Sequence, residues 1–440
     1  MRKRKGWQAV AVVALTALTT AGCLSEGGDG GGGGGGGSGE GDGTVEIVYG
    51  FGGSQSEGFN ESLQAFQEES GIEIKLTEAS QSFDTLIRTR VQANNLPDMA
   101  LFPQPGVLKD FVGQNKMQSL GDVTDVDALE EAFVPGILEA ATVDGEVYGA
   151  PVSMNVKSLV FYPKAAFEEA GYEIPTTLDG LQELTEQIKA DGTTPWCVGM
   201  ESGSATGWVA TDWLEDMMLR VGGPDTYDDW VSHEIPFDDP VVKEAAERFE
   251  SLALADGNVL GGRQGVVSTA FATSANPMFD DPPKCFLHRQ GNFITQEGFF
   301  PEDVVANIDD EVGVFYLPGE TEDDKPVLGG GDFAAVFDGA DPEAAEVLEF
   351  ITGEDYPGWS ETAGFMSPRK EFDLEKYDSE LMKQMAGIAY EADVFRFDGS
   401  DQMPGSVGSG SFWKGMVSWV SGQSDIDQAL TGIEESWPSS

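Results

Sequence analysis

Histidine and cysteine are scarce in this chain of 440 residues, which contains 2 histidines and 3 cysteines. Neither His233 nor His288 stands beside a nucleophile-elbow pattern, so the sequence gives little support to hydrolases that use a Ser-His or Cys-His pair. Paired carboxylates are uninformative about glycoside hydrolysis, because 77 Asp and Glu residues make such pairs abundant. We therefore predict no catalytic residues, no cofactor and no metal site.

Cations are also few, since 25 Lys and Arg stand against 77 Asp and Glu, giving a formal net charge of −52. Phosphate neutralisation requires clustered cations, so the composition excludes nucleic acid as a partner. The same negative field repels an anionic membrane surface. The acids are spread along the chain, which favours adaptation to high salt, where screening limits repulsion to about 3 Å at 1 M. The alternative is an ordinary acidic secreted protein.

Long hydrophobic runs are missing too. A basic amino-terminal head is followed by apolar or small residues from Val10 to Ala21, a stretch too short for the roughly 20 residues that span a bilayer. This pattern predicts a signal peptide over residues 1–22. The segment Leu18-Thr19-Thr20-Ala21-Gly22-Cys23 resembles a lipobox, so we expect Cys23 to carry a lipid.

The segment from Gly27 to Gly43 is almost wholly Gly, Ser and acidic residues, with eight consecutive glycines at Gly30 to Gly37. It offers no apolar surface to offset its chain entropy, so residues 23–43 are predicted to be a lipidated cysteine and a flexible tether. A phosphate-binding loop is excluded, since no strand precedes the glycines and no Gly-Lys-Ser/Thr follows them. We expect membrane attachment through the lipid alone, at the outer face of the cell membrane.

The remaining length exceeds a single core, so two domains are expected. Hydrophobic periodicity predicts three strands separated by two helices: Thr44 to Tyr49, a helix through Phe59, Leu63 and Phe66, Ile72 to Leu76, a helix from Phe83 to Val91, and Asp98 to Phe102. This βαβαβ order predicts a parallel sheet flanked by helices. Ligands bind beyond the carboxyl ends of such strands, which makes Ser54, Gln55 and Gln104 candidate ligand contacts. Simple turns at these positions are the alternative.

Further α/β elements follow. We predict a strand over Ser158 to Tyr162 and a helix capped by Thr177. A strand-like run from Lys325 to Phe337 is interrupted by Gly329-Gly330-Gly331-Asp332. Pro342 opens another helix, and a helix containing Phe412 to Val420 lies near the end.

Cys197 and Cys285 remain once Cys23 is assigned to the lipid. The C-x2-H spacing from Cys285 to His288 is compatible with zinc, although a close-spaced second pair is missing. Outside the membrane a disulfide is favoured, closing a loop of roughly 90 residues and contributing about 4 kcal/mol.

Several tryptophans stand among polar residues. Sugars present apolar C–H faces with a fringe of hydroxyls, so their sites combine flat aromatic rings with groups that donate and accept hydrogen bonds. Trp208 and Trp413, flanked by Gly and Ser, are the better candidates, whereas Trp213, Trp230 and Trp419 are assigned to packing.

Four motifs, in addition to the lipobox and tether, carry a resemblance to a known family: Tyr148-Gly149-Ala150-Pro151, Thr194-Pro195-Trp196-Cys197-Val198-Gly199, Pro282-Pro283-Lys284-Cys285-Phe286-Leu287-His288-Arg289-Gln290 and Ser400-Asp401-Gln402-Met403-Pro404. The chain resembles the extracellular solute-binding proteins of ABC sugar importers, and more specifically their α-glucoside-binding branch. The similarity extends over residues 44–440.

The resemblance implies an α/β fold of the type II periplasmic-binding-protein-like class, in which a multi-strand hinge joins two α/β lobes around a ligand cleft. Lobe 1 would contain residues 44–154 plus 327–368, and lobe 2 residues 155–326 plus 369–440. The hinge crossings would fall near residues 153–157, 325–329 and 365–372.

The resemblance also implies that the loop from Glu201 to Trp208, together with Asp332, Arg369 and Trp413, faces the cleft. The expected roles divide the candidates into sugar-stacking rings (Trp208, Trp413), hydroxyl acceptors (Asp212, Asp332, Asp401), a donor (Arg369) and groups that do both (Asn155, Gln55, Gln104). We expect a monomeric receptor that captures an α-glucoside of the trehalose, sucrose or maltose type and delivers it to an ABC permease. A surface-anchored glycoside hydrolase and a carbohydrate-binding lectin are the alternatives.

Overall fold

The computed structural model of the protein describes residues 41–79, 82–362 and 365–438. The predicted signal peptide, the predicted lipidation site Cys23 and most of the predicted tether lie outside these residues. Within the described ranges, no helix combines the length and the apolar character that crossing a membrane requires.

The described residues form twelve β-strands: β1 Thr44–Tyr49, β2 Glu73–Glu78, β3 Met99–Phe102, β4 Thr142–Val143, β5 Glu146–Val147, β6 Ala150–Val156, β7 Leu159–Pro163, β8 Thr194–Trp196, β9 Cys285–Arg289, β10 Val312–Tyr316, β11 Pro326–Val336 and β12 Val394–Phe397. They also form nineteen α-helices: α1 Ser54–Ser62, α2 Gln64–Ser70, α3 Phe83–Gln92, α4 Pro105–Val112, α5 Val126–Ala132, α6 Lys164–Ala170, α7 Leu178–Ala190, α8 Trp208–Val221, α9 Gly223–Val231, α10 Pro240–Phe249, α11 Gly262–Ser268, α12 Glu302–Val305, α13 Ile308–Glu311, α14 Glu343–Thr352, α15 Gly358–Glu361, α16 Glu380–Tyr390, α17 Gly399–Gln402, α18 Trp413–Val420 and α19 Ile426–Glu434.

A six-stranded sheet has the order β12-β11-β3-β1-β2, with β6 also paired to β11. Strand β1 runs parallel to both β2 and β3, which confirms the predicted parallel βαβαβ unit. All four residues of β3, which lies between β1 and the antiparallel β11, are buried, as expected for an inner strand of a sheet covered on both faces. The predicted helix through Phe59, Leu63 and Phe66 is two helices, because α1 and α2 meet at Leu63.

Strand β11 corrects one expectation. The glycines predicted to interrupt the run from Lys325 to Phe337 lie inside one continuous strand, which pairs antiparallel with β6. The irregularity is a register shift between Asp332 and Phe333. Gly331 has φ +150, and a Cβ there would lie 2.1 Å from the carbonyl oxygen of Ser153. A glycine at this position therefore allows the two strands to approach closely without breaking the ladder.

A second sheet has the order β10-β7-β9-β8. Cys197 and Cys285, with Cα atoms 5.6 Å apart, form a disulfide beside β8 and β9, as predicted, and the zinc alternative is not adopted. His288 Nδ1 donates to the carbonyl oxygen of Cys197 at 2.8 Å. Burial, with a smaller effect from Arg289, lowers the pKa of His288 to about 4, so the imidazole is neutral at physiological pH.

Two connections join the sheets. The chain leaves the six-stranded sheet at Val156 and enters the four-stranded sheet at Leu159, and it returns between Tyr316 and Pro326. The buried apolar side chains of the described residues form two large clusters. The predicted hinge crossings near residues 153–157 and 325–329 fall at or next to these connections, while the lobe boundaries themselves stay a prediction.

Candidate ligand cleft

A cleft of about 1000 Å³ opens at the carboxyl ends of β1 and β3. Gly50 and Phe51 line it directly after β1, and Pro103 and Gln104 line it directly after β3. The opposite wall comes from segments that pack with the second hydrophobic cluster, including α17 and the first residue of α18. This is the position where open α/β sheets bind ligands.

Four residues predicted from the sequence line this cleft together: Gln104, Asp332, Asp401 and Trp413. They come from the segment before α4, from β11, from α17 and from α18. The fold therefore joins an amide, two carboxyl groups and an indole that are distant in sequence. This combination can hydrogen-bond the hydroxyls of a sugar and stack on its apolar face.

Trp413 is half-buried at the start of α18. Its Nε1 is buried and has no hydrogen-bond partner among the described residues. Gly207 packs directly beneath it, since a Cβ at Gly207 would lie 2.5 Å from the Trp413 carbonyl oxygen and 2.8 Å from its Cβ. Gly207 also has φ +124, a conformation that favours glycine. The loop before α8 thus depends on glycine to pack closely against the backbone and Cβ of Trp413.

Asp332 lies on β11 next to the register shift. Its Oδ2 accepts a hydrogen bond from Ser153 Oγ at 3.0 Å, and its backbone N–H donates to the same hydroxyl at 3.2 Å. Its second oxygen, Oδ1, has no hydrogen-bond partner within the described ranges. Burial raises the pKa of Asp332 to about 6, partly opposed by the Ser153 hydrogen bond. The carboxylate is therefore ionised and available as an acceptor at neutral pH.

Asp401 is held by the start of α17, where its N–H donates to Asp398 Oδ1 at 3.0 Å. Burial first, and then the neighbouring Asp398 carboxylate, raise the pKa of Asp401 well above its usual range. Glu215 anchors the same turn by accepting from Gly399 N at 2.9 Å and Ser400 N at 3.1 Å. A carboxyl group with a raised pKa keeps its proton to a higher pH, and its protonated form can donate as well as accept hydrogen bonds.

Gln104 stands at the amino end of α4 and makes no capping hydrogen bond with its side chain. Two residues later, a Cβ on Gly106 would lie 3.0 Å from the carbonyl oxygens of both Asp401 and Met403. Glycine at this position lets α4 pack against α17, which brings the Gln104 segment opposite Asp401.

Five further predicted residues are not among those that line this cleft. Ser54 and Gln55 begin α1, soon after the cleft-lining Phe51. Glu201 is exposed and its Oε1 accepts from Gly203 N at 2.9 Å, in the loop whose Ser204 and Ala205 do line the cleft.

Asn155 and Trp208 are the other two. Asn155 is half-buried on β6 opposite Gly330. The Trp208 ring centroid lies 5.1 Å from that of Phe271 and 5.6 Å from Lys157 Nζ. Trp208 is therefore packed against protein groups at the start of α8, whereas Trp413 lines the open space.

Asp212 is not brought to the cleft, contrary to its predicted role as a hydroxyl acceptor. It is fully buried, with Oδ1 accepting from Lys157 Nζ at 3.1 Å and Oδ2 from Arg289 at 3.5 Å. Burial raises its pKa to about 7, an effect that Lys157 opposes. Its partners are protein cations, so its role in this structure is to balance buried charge.

Arg369 is also placed away from the cleft, contrary to its predicted role as a donor. Its guanidinium donates to the carbonyl oxygen of Thr352 at 3.0 Å and lies 5.7 Å from the ring centroid of Phe133. It lines a separate cavity of about 670 Å³ together with Lys370 and Phe372. The contacts of Arg369 thus fix the segment after residue 365.

A buried acidic cluster lies behind α17. Carboxylate oxygens of Asp212, Glu215 and Asp398 come within 4.8 Å of one another, an arrangement with the donor set of a cation site. Lys157 Nζ, 2.5 Å from Asp398 Oδ2, supplies the positive charge that such a cluster requires. The cluster is accordingly a buried ion-pair network.

Sequence reasoning missed two features of the cleft. The sequence does not identify Phe51 as an aromatic surface of the cleft, because its flanking glycines resemble a simple turn. Arg88, Asp84 and Asp110 also line the cleft. The i, i+4 spacing of Asp84 and Arg88 on a predicted helix was the signal that could have revealed this ion pair.

The chain is similar in sequence to known solute-binding proteins. Residues 52–356 match the family model described as bacterial extracellular solute-binding protein. The chain is 42% identical over 388 residues to the osmoprotective compounds-binding protein GgtB of Synechocystis sp., covering 88% of this chain and 90% of that protein. It is 39% identical over 408 residues to the alpha-glucosides-binding periplasmic protein AglE of Rhizobium meliloti, covering 90% of this chain and 88% of that protein.

Solved structures share the fold at low sequence identity. The bacterial solute receptor AcbH superimposes with a TM-score of 0.73 at 16% identity, covering 90% of this chain and 97% of that chain. Maltose-bound MalE3 of T. maritima gives a TM-score of 0.65 at 19% identity, with 89% and 98% coverage. These likenesses confirm the predicted α/β fold of the maltose-binding-protein-like type.

Proposed function

The chain belongs to the bacterial extracellular solute-binding proteins, the sugar receptors of ABC importers, and from this premise we propose that its ligand is an α-glucoside of the trehalose, sucrose or maltose type. Its relatives and fold neighbours are receptors, so the protein is not an enzyme. Its partners are a sugar or oligosaccharide and the permease of an ABC transporter.

The convergence of Gln104, Asp332, Asp401 and Trp413 on one cleft is the observation that carries the proposal. A glucose ring has one apolar C–H face that matches an indole and a rim of hydroxyls that matches amide and carboxyl groups. The volume of about 1000 Å³ leaves room for more than one sugar ring. A disaccharide therefore suits the site in size as well as in chemistry.

Two relatives favour the same ligand class. The 39% identical protein is named for binding alpha-glucosides, and the 42% identical protein for binding osmoprotective compounds. Trehalose and sucrose are α-glucosides that also serve as osmoprotectants, so one panel of disaccharides tests binding of both ligand classes.

We propose that binding works through closure of two lobes, one built on the six-stranded sheet and the other on the four-stranded sheet. Gln104 and Asp332 belong to the first and Asp401 and Trp413 to the second. A ligand that contacts both lobes has higher affinity for the closed arrangement and shifts the population toward it. The closed form is then the one recognised by the permease.

Cys23 and the glycine-rich segment complete the proposal. A lipid on Cys23 would hold a monomeric receptor at the outer face of the cell membrane, with residues 23–43 as its tether. The net charge of −52 accords with function in concentrated salt, where the surface repulsion is screened.

Titration calorimetry of residues 44–440 in high salt, with trehalose, sucrose and maltose, tests the proposal. We expect saturable binding of at least one of them, recovery of the sugar unaltered by chromatography, and a smaller radius of gyration in small-angle scattering. Binding without compaction would favour a lectin, and the absence of binding to every α-glucoside would overturn the proposed ligand class.

A further inference from the structure

The charge of the cleft wall allows the ligand class to be narrowed. Among the described residues that line the cleft, four carry carboxyl groups, Asp84, Asp110, Asp332 and Asp401, and one carries a cation, Arg88. Receptors that hold phosphate or carboxylate groups place a free Arg or Lys, or several backbone N–H groups, where the anion sits. The availability of Arg88 therefore decides whether an anionic ligand has a cationic side chain as a partner here.

Arg88 is already engaged by two acids. Its Nε donates to Asp84 Oδ1 at 2.5 Å and a terminal nitrogen donates to Asp110 Oδ2 at 2.7 Å. Its guanidinium also lies 5.7 Å from the ring centroid of Phe111. With one cation between two carboxylates, this trio carries a net negative charge. An incoming anion would have to displace a carboxylate from Arg88 to gain a charged partner.

Asp332 adds a second negative element on β11. Its burial next to Ser153 fixes the carboxylate at the cleft wall, with Oδ1 lacking a hydrogen-bond partner within the described residues. An oxygen of this kind accepts a hydroxyl proton from a neutral sugar and repels a second carboxylate or a phosphate. Because the site is partly desolvated, that repulsion is stronger than it would be in water.

We propose that the cleft selects uncharged saccharides and rejects anionic ones, with Asp332 and the Asp84–Arg88–Asp110 trio as the determinants of this selectivity. The inference rests on the proposed sugar-binding function and narrows it. It assigns a discriminating role to Asp84, Arg88 and Asp110, which sequence reasoning did not single out.

Two pairs of ligands that differ chiefly in charge test the proposal: trehalose against trehalose 6-phosphate, and maltitol against maltobionate. We expect the anionic member to bind the wild-type protein roughly 30-fold more weakly, or worse, at low ionic strength. Asp332→Asn should narrow this ratio by roughly tenfold, because it removes the repelling charge and keeps the side-chain shape.

A second variant, Asp110→Asn, tests the role of the Asp84–Arg88–Asp110 trio independently of Asp332. It leaves Arg88 with one acidic partner, so it should strengthen binding of the anionic member relative to the neutral member. Asp144→Asn is the matched control, because Asp144 is an exposed acid in the β4–β5 turn at φ +52, a conformation that Asn accepts well. Asp144→Asn changes the net charge of the protein by the same amount. It should leave the ratio of neutral to anionic affinity in both ligand pairs as it is in the wild type.

Equal affinities within either pair would overturn the proposal, as would a strong preference for the neutral member that neither Asp332→Asn nor Asp110→Asn reduces, since the preference would then be steric. A reduction of equal size in Asp144→Asn would assign the effect to the whole protein and contradict the cleft mechanism. Failure of both neutral sugars and both anionic sugars to bind would instead overturn the proposed function, and this inference with it.

Discussion

Lys157 Nζ lies 2.5 Å from Asp398 Oδ2 and 3.1 Å from Asp212 Oδ1, so a single ammonium group holds two buried carboxylates. Burial alone would lower the pKa of Lys157, but the two carboxylates raise it above its usual value and keep the group charged. Lys157 stands in the connection between the two sheets, and Asp398 directly precedes α17, which carries Asp401. The ion pair between Lys157 and Asp398 therefore links the connection between the sheets to the wall of the cleft.

Lys157→Met should therefore destabilise the protein strongly. The substitution leaves Asp212 and Asp398 without their cation, and breaking a buried pair in this way costs about 3–5 kcal/mol. Urea titration of the wild type and the variant gives their free energies of unfolding, and the difference between them measures this loss of stability. Lys284→Met is the control, since Lys284 pairs with Asp280 at the surface and such pairs contribute about 0–1 kcal/mol. Equal losses in the two variants would show that the buried network is unimportant.

Gly207→Ala should weaken sugar binding. Its Cβ would collide with the backbone and Cβ of Trp413 and would force a residue with a side chain to adopt φ +124. Gly203→Ala is a control within the same loop, because Gly203 also has a positive φ, +58, but a Cβ there meets nothing within 4 Å. We expect at least about a tenfold larger dissociation constant for Gly207→Ala than for Gly203→Ala. Similar constants would argue against a role for this close approach.

Replacing both Cys197 and Cys285 with Ser should lower stability by about 4 kcal/mol, because the bond closes a long loop. The two cysteines are 88 residues apart in sequence. Chemical denaturation of the double variant, compared with the wild type with and without reductant, measures the effect. A wild type whose midpoint matches that of the double variant before reduction would contradict the disulfide.

The preference for neutral saccharides should depend on pH. Burial raises the pKa of Asp332 to about 6, with Ser153 opposing, and the pKa of the nearby Asp401 is raised as well. Asp332 loses its charge as the pH falls through this value, while the carboxylate of maltobionate, with an ordinary pKa of about 3.5, stays ionised. The affinity ratio of maltitol to maltobionate should therefore shrink between about pH 8 and about pH 5.

Asp332→Asn is the control for this profile, since it removes the titrating group. Its ratio should vary much less over the same range. A wild-type ratio that is constant with pH, or an equal change in the variant, would assign the discrimination to other groups.

The local order of the chain was largely predictable. The limits of β1 match the predicted strand, and Thr177 caps α7 by accepting from Gly180 N at 3.1 Å, as its position before an amphipathic run indicated. Parallel pairing followed from the alternation of strands and helices. Because ligand clefts open at the carboxyl ends of parallel strands, this pairing predicted that Gln104, which follows β3, lies at the edge of a cleft.

The errors came from pairings over long sequence distances. Asp212 has the type and helix-start position of a ligand contact, but Lys157 and Arg289 pair with it across the fold, and neither partner is implied by local sequence. The same is true of Arg369 and the Thr352 carbonyl. Consecutive glycines in a strand-like run predict a break when the sequence is considered alone. In the fold, β11 stays continuous because Gly331 allows a close approach to Ser153 on β6.

The central claim is that a saccharide occupies this cleft and rests on Trp413. The most direct measurement compares trehalose, sucrose and maltose dissociation constants, from calorimetry, for the wild type and Trp413→Ala. Trp437→Ala is the matched control, because Trp437 stacks on His233 with centroids 4.1 Å apart and does not line the cleft. We predict an increase of at least about tenfold for Trp413→Ala and little change for Trp437→Ala. Unchanged affinity in Trp413→Ala would contradict the account.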